Sequence, residues 1–217
     1  MDFSKGILAF SGGKDSVAVS QYMLSRGYKL PHVAVVNKEI DYRCHLDFIE
    51  SYCNQYNVPL LFVNRKEKGM DFLKKNPKFI FPTCSKIKSR WFRIFQRNGI
   101  HEFTEKYKIK SVVYGRRIAD GNLIRKPKYK TANGVWQMFP LRSWSNEYTL
   151  DYIKRFPKSP IYDTPRGMRR GTHTINIANI YGETVFDDAI NFIKATDENK
   201  YPKILELLTY RENYYGS

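Results

Sequence analysis

Apolar positions along this chain fall into short runs separated by amphipathic stretches. Ile7-Leu8-Ala9-Phe10 is apolar without alternation and ends at a glycine pair, the pattern of a buried parallel strand entering a loop. From Ser16 to Arg26, Val17, Val19, Tyr22, Met23 and Leu24 lie on helical spacing, and Gly27 follows as a stop. His32 to Val36 reads as a second buried strand, Leu46 to Tyr56 as an amphipathic helix, and Pro59 to Val63 as a third strand. Strand, helix, strand, helix, strand is the signature of a parallel α/β sheet.

The pattern continues with a basic helix. Ser85 to Asn98 sets Ile87, Trp91, Ile94 and Phe95 among lysines and arginines, and Ile100 to Tyr107 extends it. Lys110 to Gly115 predicts a fourth strand ending in glycine, and Trp136 to Pro140 a short fifth. Residues 121–135 are polar and basic without period and read as a loop. Ser145 to Phe156 predicts a helix with Ser145 as N-cap. After Asp163 the pattern weakens. Thr164 to His173 is basic and irregular, whereas Thr184 to Ala195 and Tyr201 to Tyr214 look helical. The expected division is a domain over 1–163 and an extension over 164–217 packed on it.

Composition narrows the class. No apolar run approaches the ~20 residues of a membrane helix, and Met1 to Gly6 carries no signal-like segment. A soluble, cytoplasmic protein without a membrane partner is expected. Cys44, Cys53 and Cys84 are three, with no C-x-x-C pair, which argues against a disulfide framework and an iron–sulfur cluster. Charge is the outlier: 37 Lys+Arg against 21 Asp+Glu gives +16. Such a field draws anionic ligands and admits a nucleic-acid partner, although charge alone does not separate that partner from a generally basic surface. The cations cluster at Lys86 to Arg97, Arg116 to Lys130 and Arg166 to Arg170, with aromatics among them.

The chemistry is carried by Phe10-Ser11-Gly12-Gly13-Lys14-Asp15-Ser16, between predicted strand and helix. Gly12 and Gly13 can take positive φ and leave room beside the backbone. Amide N–H groups and the helix N-terminus then converge on an anion. Ser11 and Ser16 supply hydroxyls, Lys14 a point charge, and Asp15 a carboxylate to hold Mg²⁺ or cap the helix. The spacing is not that of the Walker loop. Phosphate of an adenine nucleotide is the expected ligand.

This segment resembles the PP-loop of the ATP pyrophosphatases, which cleave ATP between the α and β phosphates and usually leave AMP on a substrate. Within that superfamily, residues 7–163 resemble the phosphoadenosine phosphosulfate (PAPS) reductase family. The landmarks are Cys84-x-x-x-Lys88, then Tyr114-Gly115-Arg116-Arg117 with Asp120 and Arg125. Phe139-Pro140-Leu141-x-x-Trp144-Ser145 and Pro160-Ile161-Tyr162-Asp163 follow. The resemblance implies an adenine nucleotide α-hydrolase-like fold, a parallel five-stranded sheet between helices, with ligand over the C-terminal strand ends. It places adenine against the backbone of Val35, Val36 and Asn37. It sets Gly115, Arg116 and Arg117 toward ribose and phosphates.

The chain also departs from that family. Its reductases attack sulfur with a cysteine in a C-terminal Glu-Cys-Gly-x-His setting, whereas no cysteine follows Cys84 here. Cys84, beside Lys86, Lys88 and Arg90, is a substitute nucleophile or, more simply, a structural residue. Arg166 to His173 offers charge where the family often has Gly-Cys. Three functions compete. The first is an enzyme that uses ATP and Mg²⁺ to adenylate an acceptor through Lys14, Asp15, Arg116 and Arg117, the acceptor a nucleic acid or a small molecule. The second is a thiol-dependent PAPS/APS (sulfonucleotide) reductase. The third is a non-catalytic binder of nucleotide or nucleic acid. A homodimer is left open.

Overall fold

The computed structural model describes residues 2–163 and 183–216. Six strands form one sheet: β1 (Ile7–Ala9), β2 (His32–Val36), β3 (Leu60–Asn64), β4 (Ser111–Val113), β5 (Lys128–Lys130) and β6 (Trp136–Met138), in the order β3-β2-β1-β4-β6-β5. β1 pairs in parallel with β2 and β4, and β4 with β6; β5 runs antiparallel to β6 at the edge. Helices flank the sheet: α1 (Lys14–Leu24), α2 (Arg43–Gln55), α3 (Met70–Lys75), α4 (Ser85–Phe92), α5 (Asn98–Lys106), α6 (Asn146–Ile153), α7 (Glu183–Thr196) and α8 (Tyr201–Tyr215). None of the described helices is long and apolar enough to cross a membrane.

The expected order of strands and helices is found, with three differences. A short helix, α3, stands between β3 and the basic helix, where the sequence pattern predicts none. The sheet has a sixth strand, because residues 121–135 are not all loop. β5 rises from that segment and turns back into β6 through Thr131 to Val135, where Gly134 takes φ +82° and the Thr131 N–H donates to the Val135 carbonyl at 2.9 Å. Asn133-Gly134 is the turn signal that a search for periodicity passes over. The basic helix is also not uniform. A π-helical turn, Arg93–Arg97, joins α4 to α5.

The described chain forms two compact units. The first holds Met1–Ala34, Phe48–Val63 and Ile100–Lys158. Ile7, Leu8, Val33, Val112 and Val113 are fully buried in it, as expected of strands covered on both faces. A chain of buried hydrogen bonds runs beside them. Gln21 Nε2 donates to the Tyr52 hydroxyl at 2.8 Å, which donates to Ser20 Oγ at 2.9 Å. His32 Nδ1 lies 2.9 Å from the Leu30 carbonyl, which can only accept. Nδ1 therefore carries the proton, and Nε2 accepts from Ser20 Oγ at 2.7 Å. Burial pushes the His32 pKa down to about 4, so the ring stays neutral.

The second unit holds Val35–Asp47, Asn64–Gly99 and Ser159–Ser217. Its centre is aromatic: Trp91 stacks on Phe95 at 5.2 Å and meets Phe79 at 5.5 Å. α8 is fastened there by Lys74 to Glu206 at 2.5 Å and by Arg211 Nε donating to the Phe81 carbonyl at 3.2 Å. The buried Lys200 ammonium donates to the Asp41 carbonyl and pairs with Asp197 at 3.1 Å. The basic run Arg166 to His173 lies outside the described residues.

Candidate functional site

β1 ends at Ala9, and Phe10 remains tied to the sheet through its N–H to the Val33 carbonyl at 2.9 Å. Four residues later α1 begins. Gly12 makes the turn with φ +68°, a conformation that a side chain would strain. Gly13 does not share it; at φ −77°, ψ 164° it is the extended N-cap of α1. Gly13 has no side chain to cap this helix; its own N–H donates to Ser11 Oγ at 3.4 Å, and the next amides of the first turn lack an intrahelical partner. The hydroxyls brace the turn: Ser11 Oγ donates to Ser16 Oγ at 3.3 Å, and Ser16 Oγ donates to the Gly13 carbonyl at 2.9 Å. The sequence thus builds an uncapped helix start behind a glycine turn, an anion-binding arrangement.

Charge at this helix start is arranged through Asp15. One carboxylate oxygen lies 2.5 Å from Lys14 Nζ and the other 2.8 Å from Arg117 Nε. The second contact is an ion pair rather than a formed hydrogen bond, since neither atom meets hydrogen-bond geometry. Burial raises the Asp15 pKa, against the pull of Lys14 and Arg117. Lys14 also lies 3.7 Å from Asp120. One cation is therefore held at the loop by two carboxylates.

Arg117 is placed differently from the sequence expectation. Its side chain is 0% exposed and its donors go to protein groups. Nη1 donates to the Ser145 carbonyl at 2.8 Å and to Thr149 Oγ1 at 2.9 Å. Nη2 donates to Asp120 at 2.5 Å and to Asn146 Oδ1 at 3.0 Å. The guanidinium fork thus joins Asp15 on α1 to the first turn of α6. The expected N-cap of α6 is present, with Ser145 Oγ accepting from the Tyr148 N–H. Asp120, Asn146 and Thr149 complete this cluster. Only Asp120, three residues after Arg117, had any sequence signal.

Gly115 and Arg116 complete the first unit's share. A Cβ on Gly115 would lie 2.3 Å from the Asp15 carbonyl oxygen and 3.1 Å from the Ser16 nitrogen, so glycine is what lets the end of β4 meet the start of α1. Arg116 is half-buried with its guanidinium 4.6 Å from the centre of the Tyr114 ring.

The remaining predicted residues lie in the second unit. Val35, Val36 and Asn37 are buried, and protein groups engage their polar atoms. Gln96 Nε2 donates to the Val35 carbonyl at 3.3 Å, and the Arg65 N–H donates to the Val36 carbonyl at 2.7 Å. The Asn37 N–H donates to Asp41 Oδ2 at 2.8 Å. Cys84 is exposed at the N-cap of α4 and makes no capping bond. Cys53 is buried, its thiol pushed up to about 12, and burial also raises the thiol of Cys44.

The donor set does not suit a metal held by protein alone. No three His, Cys, Asp or Glu converge among the described residues, and both oxygens of Asp15 face cations. A magnesium ion here would be carried mainly by phosphate oxygens and water.

Three comparisons bear on this geometry. The fold is shared with a solved structure, and others are similar in part. The PAPS reductase of Candida auris, in a phosphate complex, is 14% identical, covers 72% of this chain and 76% of its own, and has a TM-score of 0.54. Yeast FAD synthetase, in complex with FAD, is 15% identical over 72% of this chain and 52% of its own, with a TM-score of 0.49. The NH3-dependent NAD synthetase of Campylobacter jejuni is 15% identical over 95% and 83%, with a TM-score of 0.47. No curated protein matches the sequence. The phosphoadenosine phosphosulfate reductase domain matches residues 5–164, most of the chain and all of the loop just described. With its PP-loop between β1 and α1 and a mostly parallel sheet of the adenine nucleotide α-hydrolase type, this chain belongs to the phosphoadenosine phosphosulfate reductase domain family.

Proposed function

We propose that this chain binds ATP on the β1–α1 loop and cleaves it between the α and β phosphates, leaving AMP on an acceptor. The observation that carries this reading is the uncapped start of α1 behind Ser11-Gly12-Gly13, with Lys14 held at it by Asp15. Amide donors and an ammonium in fixed positions stabilise charge that builds on a leaving pyrophosphate without reorganising. An acceptor oxygen attacks the α phosphorus, the bond to the bridging oxygen breaks, and pyrophosphate departs with that electron pair. The acceptor's proton passes to solvent.

Lys14 and the loop amides meet the phosphates. Arg116, half-buried after β4, is the second cation for them. Arg117 is a positioning residue, because its donors already serve Asp15, Asp120 and α6. The backbone of Val35 to Asn37 is assigned the adenine by family resemblance alone. Magnesium would enter with the nucleotide, where it would offset phosphate charge beside Lys14 and Asp15.

The family match favours a second reading, sulfonucleotide reduction. Residues 85–217 contain no cysteine, so Cys84 would have to supply the thiolate. ATP labelled at the α and γ positions tests the first reading, with and without a single-stranded nucleic acid. AMP and pyrophosphate in equal amounts are expected. Absence of pyrophosphate under every condition rejects it, and sulfite release from PAPS with a thiol donor establishes the second instead.

A further inference from the structure

The sheet edge carries a feature that the loop does not use. Residues 121–146 contain five cations, Arg125, Lys126, Lys128, Lys130 and Arg142, and no Asp or Glu. The first four are exposed. Among the described residues, no carboxylate pairs with any of them. Exposed lysines on an edge strand have an ordinary use, to keep other strands from pairing with it. That use does not explain two large aromatics on the same hairpin, Tyr129 at 42% and Trp136 at 41% exposure, which weaken such protection.

The hairpin register sorts these groups by face. Lys130 lies opposite Trp136 and Lys128 opposite Met138, so both lysines share a face with Trp136. Lys128 Nζ is 5.7 Å from the centre of the Trp136 ring. Tyr129 is on the other face, opposite Gln137, to which its hydroxyl donates at 2.8 Å. One side of its ring is backed by a column: Phe139 at 5.7 Å, Tyr114 a further 5.9 Å on, then the Arg116 guanidinium. The approach to β5 is pinned as well, with Arg142 Nε donating to the Ile124 carbonyl at 2.8 Å. The edge thus carries one exposed ring on each face, Tyr129 backed by its column and Trp136 beside Lys128, bordered by cations.

We infer that the β5–β6 edge binds single-stranded nucleic acid, bases stacking on Tyr129 and Trp136 and phosphates meeting Arg125, Lys126, Lys128 and Lys130. A duplex would present phosphates to the lysines and leave both rings without a partner, whereas an unpaired strand uses both features. The surface does not depend on the adenylation reading. It goes beyond that reading by giving a polyanion a place on the same unit as the phosphate loop.

Fluorescence anisotropy without ATP tests it, using labelled oligo-dT and oligo-U of about 16 nucleotides and a duplex of equal length. Either single strand should bind more tightly than the duplex, and affinity should fall steeply with salt. Tyr129→Ala and Trp136→Ala should each weaken single-strand binding at least about fivefold. Tyr129→Leu, which keeps an apolar contact on Phe139, should behave as Tyr129→Ala if stacking is the cause. Lys128→Glu should lower affinity and flatten the salt response, whereas Lys29→Glu, an equal charge change at an exposed site between α1 and β2, should have little effect. Wild-type binding by both aromatic variants overturns the proposal. So does equal affinity for the duplex, or an equal loss in Lys29→Glu. ATP binding by Tyr129→Ala, read by calorimetry, keeps this result separate from the nucleotide reading.

Discussion

At the residue scale the loop rests on one buried arginine. Arg117 pairs with Asp15 and Asp120 from a position without solvent, and its removal would leave both carboxylates to Lys14 alone and strand the acceptors of α6. Arg117→Ala should therefore cost about 3–5 kcal/mol of stability, read by urea unfolding. Arg117→Lys should recover little of it, because an ammonium cannot serve Asp15, Asn146 and Thr149 from one fork. A loss below about 1 kcal/mol in the alanine variant would contradict the placement. Lys14 is the opposite case, a cation at the loop whose removal should touch the ligand more than the fold. Lys14→Ala should weaken ATP binding at least about tenfold in calorimetry, with little change in melting temperature. Unchanged affinity would refute the placement of the phosphates. Gly115→Ala sets a methyl 2.3 Å from backbone and should lower both stability and ATP affinity.

At the element scale the strongest expectation concerns the buried polar chain through β2. His32 is neutral in the fold, with its pKa lowered to about 4, while in the unfolded chain it titrates near 6.5. Between those values the unfolded state binds more protons, so stability rises with pH. The contribution is complete above pH 6.5 and is lost as pH falls toward 4, about 3 kcal/mol over that range. Unfolding of wild type and His32→Asn at pH 7 and pH 5 checks this: the variant should lose less on acidification. At α6, Ser145→Ala removes the cap and should cost about 1 kcal/mol. These elements were legible in the sequence to different degrees. Ser145 before an amphipathic run identified the cap, and the glycine pair before Lys14 identified the loop. β5 was not legible by pattern, because three exposed residues, Lys128, Tyr129 and Lys130, have no buried face to impose alternation.

At the scale of the whole molecule, the two units are not successive segments of chain. Their boundaries fall inside β2, α2, β3 and α5, so one unit cannot unfold without breaking elements that continue into the other. A single unfolding transition, coincident by circular dichroism and tryptophan fluorescence, is expected. Two separated transitions would contradict it. The C-terminal helices belong with segments more than a hundred residues earlier, as Lys200 with Asp41 and Glu206 with Lys74 illustrate. Nothing local in the chain announces such pairs.

By itself the sequence determined most of the strands and helices, the PP-loop and the family, because these depend on short-range periodicity and on residues that stand next to one another. The tertiary structure alone decided where Arg116 and Arg117 lie. The two are adjacent and chemically identical in sequence. One is half-buried over the Tyr114 ring, and the other is fully buried against Asp15. A guanidinium's role is set by which carboxylates and carbonyls the fold brings to it, and those come from α1 and α6, at opposite ends of the described domain sequence.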